Sequence, residues 1–306
     1  MTDTRNLPRD LAWAQQLQHA AGAVGQQHLD LIIDQTGWHK AFTPILKDFN
    51  PPLLWCSLLA GTPHEALGDD APLLLRLDLQ DDAHQQWLED LIEHFAGEPR
   101  LLAMLSPAPF DDLARHLRHC LQITWPDGEG LLRFYDPRLI ASVDDMLTSE
   151  QKTLFHGQTR MWAWLDRDGQ PAWLAGQWSP MRRWPEQLPT LHLDRGQVDR
   201  FTSSTEAEAA TLAFIFQYGP QGHAREALFK QMRAACWQAD VLNLLDQRDR
   251  EGLVQRYVVH GPGFLQKSPW IGRIALWNAG HLKPGQLWID LPVEPALRPL
   301  PAPPAP

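Results

Sequence analysis

Two guanidinium groups, a phenol and a carboxylate fall within the six residues Arg133, Phe134, Tyr135, Asp136, Pro137 and Arg138. Arg–carboxylate forks are strong, directional contacts, so this density of paired charge next to apolar side chains predicts an ion-paired corner. It offers no nucleophile: no serine, cysteine or histidine stands beside it in sequence. Elsewhere, His116 and His119 lie three apart with Cys120 beside them and Asp112 one turn back. A zinc site needs about four convergent ligands, and a single cluster of this kind is better read as two surface histidines. Ser106 precedes a proline without a neighbouring base, and there is no G-x-S-x-G, G-x-G-x-x-G or P-loop pattern. The acidic pairs Asp69-Asp70, Asp81-Asp82 and Asp111-Asp112 sit where loops end or helices begin, where carboxylates favour the helix dipole. No cofactor and no metal is expected from these patterns.

The corner needs elements to hold it. Leu131 to Tyr135 alternates as a short strand, with Leu131, Arg133 and Tyr135 on one face and Leu132, Phe134 and Asp136 on the other. Asp136-Pro137 reads as a helix start, the carboxylate capping free N–H groups and the proline losing no needed donor. On this reading Arg133 occupies an apolar face, which is costly unless it is paired. Upstream, strands are expected at 28–34, 53–59, 73–79 and 101–105, and helices at 8–23, 38–49, 81–95 and 109–121. Hairpins follow at 122–136 and 160–175. Strands alternating with helices, plus hairpins, predict an α/β N-terminal lobe with a mixed β-sheet flanked by helices.

Arg133 to Arg138 resembles the signature of the effector adaptor, or chaperone, family of bacterial type VI secretion. The strand ending at Asp34, the run Pro72 to Leu77, Ser106, the helix Phe110 to Leu121 and the turn Pro126-Asp127-Gly128 occur in that family's order. The resemblance covers roughly residues 28 to 172 and departs from the usual pattern at Thr36 and Gly37. It implies an adaptor whose partners are a cognate secreted effector and the spike protein of the secretion apparatus, and it implies no enzyme.

Bulk properties agree with a globular binding protein. The 306 residues, 44% hydrophobic and 21% charged, suit two domains with ordinary cores. A net charge of −10 speaks against nucleic acid as a partner, since phosphate binding needs a basic face. Three widely spaced cysteines read as free thiols of a reducing compartment. With no apolar stretch near the roughly 20 residues of a membrane span, the expectation is a cytoplasmic protein without membrane insertion. Fourteen tryptophans exceed what a core needs. Trp38, Trp178, Trp184 and Trp270, in polar or proline-rich surroundings, are candidate interface residues together with Arg182 and Arg183.

Domain limits follow from composition. Residues 1–176 form the expected adaptor domain and 177–193, with prolines 180, 185 and 189, a linker. Residues 194–290 read as an all-α C-terminal lobe and 291–306 as a proline-rich tail. The rival to an adaptor is a small-ligand-binding or hydrolytic enzyme with its site at the carboxyl ends of the strands, near Asp34, Ser106 and Asp136.

Overall fold

A computed structural model describes residues 9–38, 40–182, 188–219 and 222–291. The chain divides into two compact units, residues 1–197 and 198–306.

The first unit is built on a six-stranded sheet. Its strands are β1 (His28–Ile33), β2 (Leu54–Ser57), β3 (Leu73–Asp78), β4 (Leu101–Leu105), β7 (Met161–Leu165) and β8 (Pro171–Ala175), in the order β2-β3-β1-β4-β7-β8. Every neighbouring pair in it is antiparallel. A second, three-stranded sheet holds β5 (Gln122–Trp125) between β6 (Gly128–Leu131), antiparallel, and β9 (Leu191–His192), parallel. Helices α1 (Arg9–Ala23), α2 (Thr43–Asp48), α3 (Asp82–His94), α4 (Phe110–Leu121), α5 (Ile140–Met146) and α6 (Ser149–His156) complete it. The α/β lobe with sheet and flanking helices is therefore as expected, the mixed pairing lying in the smaller sheet.

Alternation divides the large sheet into two faces. Leu29, Leu31 and Ile33 of β1 join Leu73, Leu75 and Leu77 of β3 in a core with Trp13 and Leu17 of α1 and Leu88, Leu91 and Ile92 of α3. The opposite face carries Asp30, Ile32, Met104 and Trp162, all fully buried. There Asp30 stands opposite Arg76 on β3, and the arginine forks it with Nε–Oδ1 at 2.7 Å and Nη2–Oδ2 at 2.9 Å. Burial pushes the Asp30 carboxyl upward, while Arg76 pulls it down.

Several local expectations change. Pro44 sits in the first turn of α2, which starts at Thr43, so the helix is shorter than the expected 38–49. Leu191–His192, inside the stretch read as linker, pairs with β5, and Leu191 and Leu193 are buried. The second unit is helical, with α7 (Arg195–Tyr218), α8 (Arg225–Val241), α9 (Gln247–His260) and α10 (Trp270–Asn278). Helix α7 runs unbroken through Ser204 and Thr205. Ser204 Oγ donates to the Arg200 carbonyl and Thr205 Oγ1 to that of Thr202, so the hydroxyls bond back along the helix and cap nothing. Among the described residues no helix is long and apolar enough to cross a membrane.

Candidate functional site

The signature run is a loop between β6 and α5, not a strand and helix start. Leu132 N–H donates to the Leu121 carbonyl at 2.7 Å, tying the loop to the end of α4. Turns follow, in which Asp136 N–H donates to the Arg133 carbonyl at 3.2 Å and Leu139 N–H to the Asp136 carbonyl at 2.9 Å. Phe134 is fully buried, edge-on to Phe155 at 5.1 Å and to Trp162 at 6.1 Å. The loop adopts this course because Leu132, Phe134 and Tyr135 are all buried, which a flat strand would prevent.

Asp136, 2% exposed, organises the turn. Its Oδ1 accepts from Arg138 N–H at 3.0 Å and Nε at 2.9 Å, and its Oδ2 from Nη2 at 2.8 Å. The expected cap is thus an Asx turn closed on Arg138, since α5 begins only at Ile140. Arg133 differs most from expectation. Its side chain is 42% exposed, with Nη2 3.7 Å from Asp34 Oδ2 and 4.0 Å from Asp136 Oδ2. Its guanidinium lies 5.7 Å from the Tyr135 ring centroid. Asp136 is buried and Arg133 is not, so Arg133 reaches two carboxylates from the rim.

Asp34 comes from the end of β1. Its Oδ1 accepts from Thr36 N–H at 3.1 Å, which gives the departure at Thr36 and Gly37 a structural content: a tight turn, with Gly37 at φ +66°. Burial raises the Asp34 carboxyl, and the Asp136 charge adds to this against the Thr36 hydrogen bonds and Arg133. Burial likewise raises the Tyr135 phenol, against the charge of Arg133. Arg100 Nη1 donates to the carbonyls of Asp34 at 3.0 Å and Thr36 at 3.1 Å, and its guanidinium lies 4.8 Å from the Trp38 ring centroid. The structure therefore brings Asp34, Trp38, Arg133, Asp136 and Arg138 to one corner.

Ser106 is not there. Because β1 and β4 are antiparallel, with Ile33 opposite Leu101 and Asp30 opposite Met104, their carboxyl ends lie at opposite ends of the sheet. Ser106 instead donates to the Gln158 carbonyl at 2.7 Å, and its own carbonyl lies 2.9 Å from His28 Nε2. Of the three residues named for a strand-end site, Asp34 and Asp136 therefore meet around Arg133, and Ser106 stands apart from them.

The remaining candidates are dispersed. Trp178 is half-buried beneath the Arg160 guanidinium at 4.5 Å, and Arg182 donates to the Gln177 carbonyl at 3.2 Å. In the helical unit Trp270 packs on His260 at 4.5 Å and Phe264 at 5.4 Å. Arg183 and Trp184 lie outside the described residues. Among the described residues the exposed tryptophans are others, Trp173 and Trp237, and nothing in their sequence neighbourhood distinguishes them. His116, read as a surface group, is 1% exposed, with Nε2 3.1 Å from the Phe155 carbonyl. Burial lowers its pKa to about 4 and raises that of Cys120 to about 12. Among the described residues no group of three or more His, Cys, Asp or Glu could hold a metal ion.

Sheet, buried turn and paired charges define an α/β lobe with an ion-paired turn at Arg133–Arg138, followed by a helical unit. Residues 31–154, from β1 through most of α6, match a family model described as a domain of unknown function, DUF4123. No curated protein and no solved structure matches the chain.

Proposed function

We propose that this protein is a cytoplasmic adaptor that binds a cognate type VI secretion effector and assists its loading onto the spike protein. It acts by gripping another folded protein, with no bond made or broken in its own clefts. One observation carries the reading: the Arg133–Arg138 signature that resembles the adaptor family lies inside the family-matched stretch. Its folded form supports the same view. Phe134, Tyr135 and Asp136 are buried and hold the loop in place, as expected of a scaffold that presents surfaces to a partner.

Secretion tests the reading. Deleting the gene from a secreting strain should abolish export of the toxin encoded beside it while other toxins still leave the cell. Undiminished export of that toxin in the deletion strain sinks the proposal.

A further inference from the structure

The two edges of the large sheet are treated differently. On β2, Leu58 N–H donates to the Pro72 carbonyl at 2.9 Å, so alternation points the Ser57 and Trp55 backbone groups outward. That edge is closed: Arg118 donates from Nη2 at 3.0 Å and Nε at 3.3 Å to the Ser57 carbonyl. Pro51 and Pro52, just before the strand, offer no N–H.

On the β8 edge Pro171 alone withholds a donor, and among the described residues no side chain closes it as Arg118 closes β2. Asp166 N–H donates to the Gln170 carbonyl at 2.8 Å and Gly176 N–H to the Arg160 carbonyl at 2.9 Å. With Leu165 opposite Pro171 and Ala163 opposite Trp173, alternation turns Ala172 and Leu174 toward β7. The backbone groups of Pro171, Trp173 and Ala175 face outward. No described residue bonds to them. The strand Pro171-Ala172-Trp173-Leu174-Ala175 carries no charge, and Trp173 is 39% exposed. An uncharged, unpaired edge is a template for another strand.

We propose that this edge pairs with itself, joining two copies of the chain antiparallel about a twofold axis at Trp173. The outward groups fit that operator. Trp173 of each copy exchanges N–H and carbonyl with its mate, and each Ala175 N–H meets the Pro171 carbonyl of the other chain. The missing Pro171 N–H leaves one carbonyl on each side unmet, and no like charges face each other. A five-residue strand pair falls short of the roughly 1,000 Å² of a stable interface, so the dimer forms reversibly with concentration. Each copy carries a net charge of −10, so added salt strengthens it by screening.

Sedimentation equilibrium, from dilute protein up to about 1 mM, tests this. The wild type should pass from one chain to two, more readily in high salt. Trp173→Pro removes an outward donor while sparing the β7 ladder, and Trp173→Lys sets like charges across the axis. Each should weaken dimerisation at least tenfold, with the melting temperature within a few degrees of wild type. Ala175→Pro, which removes the other outward donor, replaces Trp173→Pro if that variant does not fold. A wild type that stays monomeric throughout overturns the proposal. So does a dimer unaffected by the substitutions, or a monomer in which they abolish effector binding, since the edge then serves a different chain.

Discussion

Asp136 and Arg138 are locked together two residues apart, the carboxylate taking two side-chain hydrogen bonds and one backbone hydrogen bond from the arginine. Because Asp136 is 2% exposed, removing it leaves a partly buried guanidinium and an unsatisfied N–H. Asp136→Ala should cost about 2–3 kcal/mol in urea unfolding. Arg138→Lys should lose part of the same energy, since an ammonium cannot fork.

Arg133 behaves differently. With its side chain 42% exposed and its carboxylates at 3.7 and 4.0 Å, Arg133→Ala should cost about 1 kcal/mol or less. A partner interaction lost in this variant, at unchanged stability, assigns Arg133 to the interface.

The Asp30–Arg76 fork crosses two central strands, and Asp30 is fully buried. Arg76→Ala should cost about 3–5 kcal/mol, because the carboxylate loses its counter-ion in the sheet. Replacing both residues by leucine should recover most of that loss. A thermodynamic cycle of urea midpoints measures the coupling, and additive single effects would contradict it.

His116 links stability to acidity. Burial pushes its imidazole pKa down to about 4 in the folded chain, from the ordinary 6.5. Between those values the unfolded chain binds the extra proton, so stability is lost as pH falls through this window. Burial of His156 acts in the same direction. The raised Asp34 carboxyl opposes both above the ordinary aspartate value of 3.8. His116 should remove about 2 kcal/mol between pH 7 and pH 5, a loss absent in His116→Gln, which keeps a donor for the Phe155 carbonyl.

The elements were legible where one local rule acted alone. The strand at 101–105 has the limits its apolar run predicts, and α3 starts after Asp81, whose carboxylate accepts from Ala83 and His84. At the signature, alternation placed Tyr135 with Arg133, yet Tyr135 is buried along with Leu132, Phe134 and Asp136 because the run is a turn. The buried face could not be chosen locally, because Phe155 and Trp162, against which Phe134 packs, come from α6 and β7. Strand direction was equally hidden. Helices between strands suggested a strand-end site, but antiparallel order separates Ser106 from Asp34. The burial of His116 depends on a carbonyl 39 residues away, beyond any periodicity within its own helix.

The central claim is that this chain grips another folded protein. Calorimetric titration of the purified chain with the toxin encoded by the adjacent gene addresses it most directly. The account predicts one saturable complex with a Kd of about 1 μM or tighter, while the chain alone converts no small molecule. Absence of binding, together with turnover of a small compound by the purified chain, would contradict it.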